Sequence, residues 1–104
     1  MVAKSVLEEL LNFPKLNSAN YLMLLKLYMK MDKCRNTLKQ RNRIEDLTAK
    51  STIDRVVYKL PNDIIDRWHR EVVDEQSDEE EPDFSSLMAF IDREAKVAQR
   101  KFNT

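Results

Sequence analysis

The side chains that could carry catalytic or metal chemistry are few and scattered in this 104-residue sequence. There is one cysteine, Cys34, and one histidine, His69, whereas a structural zinc site takes four such ligands. Nucleophilic catalysis needs a base beside a Ser, Cys or Thr, and a single histidine offers little choice. Loops that cradle phosphate need glycine, and the sequence has none. We therefore predict that the chain is not an enzyme and uses no cofactor, metal or small-molecule substrate.

Cys34 and His69 also have ordinary structural interpretations. Cys34 lies in a segment with helical spacing, and its neighbours Lys33 and Arg35 are of the kind that lowers a thiol pKa. We nevertheless interpret Cys34 as a small helix residue without a redox role. His69 follows Trp68 in another predicted helix and is interpreted as a helix side chain.

Basic side chains form the one group that could bind a charged macromolecule, because the phosphate backbone of nucleic acids favours clustered cations. The net charge of zero, a long acidic segment and the lack of a base-reading motif argue against that function. We interpret the group as a solvated helix face and keep a nucleic-acid-binding module as the alternative. Its candidate contacts are Lys26, Lys30, Lys33, Lys39, Arg41 and Arg43, with Arg35 in the same stretch.

The neutral total conceals two oppositely charged halves. Residues 1–73 hold 14 Lys and Arg against 9 Asp and Glu, whereas residues 74–104 hold 4 against 9. Seven carboxylates fall within residues 74–83, and we predict that this run is a mobile, solvated linker that is dispensable for folding. The alternative is an electrostatic clasp in which the run contacts the basic group, within one chain or across a dimer.

The elements that must position these groups are predicted to be helices. The absence of glycine, the presence of only three prolines and a charged fraction of 35% favour helices with one apolar face over a β-rich fold. We predict one all-α domain over residues 1–104, with about five helices in a small bundle or orthogonal cluster. No apolar run has the length of a membrane span and no signal peptide is present, so we expect a soluble, cytoplasmic protein without membrane contact.

Helical spacing and capping residues give the expected boundaries. The segment 40–50 is expected to be a loop or a broken turn, and 13–16 an extended connector. Ser18, Ser51 or Thr52, and Asp83 or Ser85 are the expected N-caps of the second, third and fifth helices. The predicted helices are Val2 to Asn12, Ala19 to about Arg41, a short third helix that ends at Leu60-Pro61, Asn62 to Asp74, and a last helix after Pro82-Asp83.

Several segments also carry a family resemblance. They are Leu10-Leu11-Asn12-Phe13-Pro14, then Lys59-Leu60-Pro61 with Ile65 and Trp68, then Pro82-Asp83-Phe84 with Leu87, Phe90-Ile91 and Glu94-Ala95. In this order and with these gaps, over most of residues 6–100, they resemble the Gag region of BEL/Pao long-terminal-repeat retrotransposons. The chain is similar to the C-terminal half of the capsid region, but it lacks the upstream capsid half and a Cys-His zinc knuckle.

The resemblance implies a viral-type structural protein that contributes a dimerisation contact to particle assembly. The partner would be the chain itself, as a homodimer or a higher assembly, with RNA bound through other parts of the polyprotein. An active element and a domesticated derivative would look the same. A helical adaptor that docks a different protein is a further alternative.

Candidate contacts for self-association come from the motif segments and the long helix. Tryptophan is enriched at interfaces, and a domain of this size has limited room to hide it, so Trp68 is the first candidate. Leu60, Pro61 and Ile65 are further candidates, for which ordinary core packing is the competing interpretation. If the long helix is the exposed edge, Tyr28 and Met31 make the contact.

Overall fold

A computed structural model of the chain describes residues 2–17, 20–75 and 83–103. Within these ranges there is no strand, and the all-α prediction is confirmed. Five helices correspond to the predicted ones, and the additional α3 is a single turn within the segment that was expected to be a loop or a broken turn. The helices are α1 (Val2–Leu11), α2 (Tyr21–Gln40), α3 (Glu45–Thr48), α4 (Lys50–Val57), α5 (Asn62–Glu75) and α6 (Phe84–Asn103).

Helix α2 is the centre of the fold, because it packs along both α1 and α6. Its buried residues recur every three or four positions, which is the period of one helix face. The buried side of α2 therefore faces two neighbouring helices. The buried residues are Leu24, Leu27, Met31, Cys34 and Leu38.

The ends of α2 are fixed by two asparagines. The Asn20 side-chain oxygen accepts hydrogen bonds from the backbone N–H groups of Leu22 (2.9 Å) and Met23 (3.2 Å). The helix therefore begins at Tyr21 and not at Ala19, and the expected cap Ser18 lies outside the described residues. After the C-terminal end, Asn42 adopts a left-handed conformation with φ 58°. Asparagine tolerates this conformation and replaces the glycine that helix ends ordinarily use.

Helix α4 starts earlier than predicted. Ala49 precedes its first residue in an extended conformation and makes no side-chain cap, because a methyl group has no hydrogen-bond acceptor. Ser51 and Thr52 therefore lie inside the helix, and their prediction as N-caps is wrong. Thr52 is buried.

Helices α5 and α6 carry the apolar faces that their sequences predict. The Pro61 carbonyl accepts from the N–H groups of Ile64 (3.0 Å) and Ile65 (2.9 Å), which begins α5. Helix α5 extends to Glu75, and residues 76–82 of the predicted acidic linker lie outside the described residues. The buried residues of α6 are Phe84, Leu87, Met88, Phe90, Ile91, Ala95 and Ala98. No helix in the described ranges has the length and apolar character that crossing a membrane requires.

Of the two expected caps of α6, Asp83 is the one that the structure uses. Its Oδ1 accepts from the Ser86 N–H at 2.8 Å, and this bond, with a second from the Ser86 hydroxyl, holds the Asp83 pKa below its ordinary value. A carboxyl whose pKa is lowered by folding stabilises the fold above its unfolded pKa, and this contribution is lost as the pH falls through the folded pKa.

We therefore expect Asp83→Ala to lower the free energy of unfolding by about 1 kcal/mol at neutral pH, because the cap is lost. Asp83→Asn keeps an acceptor and serves as the matched control. Its stability should be close to that of wild type at neutral pH. Below about pH 4 its stability should decline less than that of wild type, because asparagine does not titrate. Urea unfolding at pH 7 and pH 3 measures both effects. Equal stability of the alanine variant and wild type at pH 7 would show that the cap contributes nothing.

Candidate functional site

The side of α2 that faces away from the core carries two of the large apolar residues that remain exposed. Leu22 is 56% exposed and Met29 is 62% exposed. Lys26 and Lys33 continue the same line, because positions i, i+4, i+7 and i+11 fall on one helix face. We call Leu22, Lys26, Met29 and Lys33 the outer stripe. It lies directly opposite the buried residues of α2, so none of the four can join the core.

The cations on and beside the outer stripe differ in their partners. Among the residues that the structure describes, Lys26, Lys33, Lys39 and Arg41 are exposed and form no ion pair. Lys30, in contrast, is paired with Glu9 of α1 at 3.6 Å. Arg43 is also exposed and lies in the turn after α2. Of the six predicted nucleic-acid contacts, two thus lie on the outer stripe and three lie at or just beyond the C-terminal end of α2. The sixth, Lys30, is directed toward α1.

The residues predicted for self-association lie elsewhere. Trp68 is 5% exposed, and its ring packs on that of Phe90 with the centroids 5.2 Å apart. The expectation that a domain of this size has limited room to hide the indole is therefore wrong, because the ring is buried against Phe90 of α6. Leu60, Pro61, Ile65 and Met31 are buried as well, and Tyr28 is half-buried. Within one copy of the chain, Trp68, Leu60, Pro61, Ile65 and Met31 are thus covered, and Tyr28 stays partly accessible.

A reciprocal pair of lysines joins two loops that are distant in sequence. Lys59 Nζ donates to the carbonyls of Leu11 (2.6 Å), the last residue of α1, and of Phe13 (2.8 Å), just beyond it. Lys15 Nζ donates to the Leu60 carbonyl at 2.5 Å. The Leu16 N–H completes the connection with a bond to the Lys59 carbonyl at 2.7 Å. We call Lys15 and Lys59 the lysine clamp.

The lysine clamp brings the Asn12-Phe13-Pro14 and Lys59-Leu60-Pro61 motif segments together. Burial, with a smaller contribution from the Arg55 charge, lowers the pKa of Lys59. Sequence reasoning did not find the clamp, since its partners are 45–48 residues apart and no local period marks them. The clamp fixes the position of α1 and leaves the lysine amines occupied by backbone carbonyls.

Glu94, the carboxylate of the Glu94-Ala95 motif segment, takes part in ion pairing between α5 and α6. The Arg67 guanidinium donates to both carboxylate oxygens of Glu94, at 2.7 and 3.3 Å. Arg93 pairs with Glu71 at 2.5 Å and lies over the Phe90 ring, 5.9 Å from its centroid. Glu94 is thus held as half of a bidentate pair, which is a structural arrangement.

The described residues offer no arrangement for metal or nucleophilic chemistry. Burial raises the pKa of Cys34 to about 11, so its thiol is protonated at neutral pH. Arg35, a neighbour of the kind that lowers a thiol pKa, is paired with Asp32 at 3.1 Å. His69 is exposed, and no group of three or more His, Cys, Asp or Glu in these ranges is placed to hold a metal.

A groove at the start of α5 is too small to suggest a small-molecule site. It has a volume of about 160 Å³, against roughly 300–1,000 Å³ for ordinary ligand pockets. Lys15, Leu16, Asn17, Asn62 and Asp63 line it, and the Lys15 amine already bonds the Leu60 carbonyl and Asn62.

The described residues thus define an all-helical domain in which the outer stripe carries two of the four large exposed apolar side chains, the others being Tyr58 and Val97. Comparison of the chain with protein-family models, curated proteins and solved structures gave no match. The resemblance to BEL/Pao Gag therefore rests on the motif residues alone.

Proposed function

We propose that this chain is a structural domain that associates with copies of itself, as a Gag capsid-type domain in the particle of a retrotransposon or a domesticated derivative. The observation that carries the proposal is the exposure of Leu22 and Met29 on the outer side of the central helix. The order of the motif segments supports the capsid-type assignment.

The outer stripe suits a weak contact that is repeated many times. Fully burying a leucine or methionine side chain gives about 1.5–3 kcal/mol, and association must first overcome the loss of translational and rotational freedom. Two such residues with flanking lysines therefore support modest affinity between isolated domains. A shell in which many copies are held together gains avidity from the high local concentration.

The test is the concentration dependence of the mass of the isolated chain, measured by light scattering. We expect wild type to associate below roughly millimolar concentration, and Leu22→Glu with Met29→Glu to remain monomeric with an unchanged melting temperature. Val97→Glu is the matched control, because Val97 is 44% exposed on α6, away from the outer stripe. A wild-type monomer at about 1 mM would refute self-association.

The second candidate function is nucleic-acid binding, which the unpaired state of Lys26, Lys33, Lys39 and Arg41 among the described residues favours. Its signature is affinity for single-stranded RNA that falls steeply with salt and weakens in Lys26→Glu with Lys33→Glu. Fluorescence anisotropy at low salt measures it. No binding to RNA under those conditions removes this candidate.

A further inference from the structure

We infer that the outer stripe receives the acidic run, residues 74–83, of a second copy of the chain, so that copies associate head to tail. This inference rests on the proposed self-association and names the partner surface. Of the run, residues 76–82 lie outside the described residues, and its charge is taken from the sequence.

Charge complementarity selects an acidic partner for the outer stripe. Lys26 and Lys33 flank the exposed Met29, and neither lysine meets a carboxylate among the described residues. The same chain carries seven carboxylates within residues 74–83, its densest cluster of like charge. Opposite charges at the rim of a contact steer association and fix its register. The acidic run of one copy thus supplies carboxylates for Lys26 and Lys33 of the next copy.

Pairing of two outer stripes with each other is disfavoured for the same electrostatic reason. Leu22 and Met29 could meet across a two-fold axis, but that axis would pass close to Lys26 and bring the Lys26 side chains of both copies together. Like charges across a contact oppose association. A contact between two different surfaces, basic on one copy and acidic on the other, avoids this repulsion.

The length of the acidic run favours a second copy over its own chain. From Glu75 to Asp83 the chain spans at most about 27 Å, so it can project only about 14 Å and return. Phe84, next to Asp83, is buried in the core, and α6 packs on the core side of α2. This end of the acidic run is therefore attached on the side of α2 opposite the outer stripe. A neighbouring molecule has no such restriction.

A contact of this kind is heterologous and leaves each copy with one free surface. Every chain in an assembly would use its outer stripe toward one neighbour and its acidic run toward another. Such contacts close into rings or extend into open arrays, depending on the rotation between copies. This is the behaviour that a shell-forming domain needs.

Two complementary variants test the inference. The stripe variant carries Lys26→Glu and Lys33→Glu, and the run variant carries Asp78→Asn, Glu79→Gln, Glu80→Gln and Glu81→Gln. Each alone should self-associate about tenfold or more weakly than wild type at low salt. Mixed together, they should form a 1:1 complex that grows no further. The run variant supplies the intact stripe, the stripe variant supplies the intact run, and no second contact is left to extend the complex. Sedimentation velocity on the separate and mixed samples measures this.

Arg70→Glu with Arg100→Glu makes the same change in charge on α5 and α6 and should associate like wild type. The wild-type contact should weaken between about 50 mM and 500 mM salt. If wild type associates but the mixture forms no 1:1 complex, the inference is overturned while the proposed function stands. If wild type is a strict monomer, the proposed function itself fails. The inference would also be overturned if wild type were monomeric and its melting temperature fell at high salt while that of the run variant did not. That result would show that the run contacts its own chain.

Discussion

Trp68→Ala should lower the free energy of unfolding by about 3–5 kcal/mol, the range for emptying a large aromatic site in a core. The indole is 5% exposed and packs on Phe90, so its removal leaves a cavity between α5 and α6 and takes away an aromatic contact. Denaturation followed by circular dichroism at micromolar concentration measures the loss without a contribution from association.

Trp68→Phe is the control for this experiment, because it keeps a ring against Phe90 and leaves a smaller cavity. Its cost should be well below that of alanine. The two roles considered for Trp68 give opposite results. If the residue were a contact between copies, alanine would leave the dilute monomer as stable as wild type and would change only the mass at high concentration. That outcome would contradict the core position of the ring.

Lys59→Met should destabilise the chain by about 2 kcal/mol and loosen α1. Methionine retains the apolar stem of the side chain but removes the donor that serves the Leu11 and Phe13 carbonyls. Leaving partly buried acceptors without a partner costs about 1–3 kcal/mol. The loss should concentrate at the end of α1, since these carbonyls lie at and just beyond its last residue.

Hydrogen exchange provides the local measurement for this prediction. The amides in the second half of α1, including that of Leu10, should exchange markedly faster in Lys59→Met, whereas those in the middle of α2 should change less. Arg55→Met is the matched control, because Arg55 is an exposed cation on α4 and is not part of the lysine clamp. Unchanged α1 exchange in Lys59→Met would show that water replaces the amine without cost.

Local pattern was sufficient to predict most of the helices. The spacing of Ile64, Ile65 and Trp68 marks the buried face of α5, and the structure buries all three. Helix starts were predicted less well. Asn20 caps α2 and no side chain caps α4, because the turn that leads into each helix depends on how the preceding loop packs.

The candidate site was predictable in its charge but not in its apolar residues. The basic side chains of α2 stand out in the sequence, and Lys26 and Lys33 are exposed as a solvated face requires. Leu22 and Leu27 are both leucines of one helix, yet one is 56% exposed and the other fully buried. Which of them faces solvent depends on where α1 and α6 pack around α2.

By itself the sequence determined the helical class, the approximate boundaries of five helices and the position of the charged segments. These properties depend on neighbours within one or two turns of the chain, where period and composition act directly. Only the tertiary structure decided that Trp68 is core, that Lys15 and Lys59 clamp two distant loops, and that Leu22 and Met29 remain outside. Each of these outcomes depends on contacts between residues far apart in the chain, and such contacts leave no local period to read.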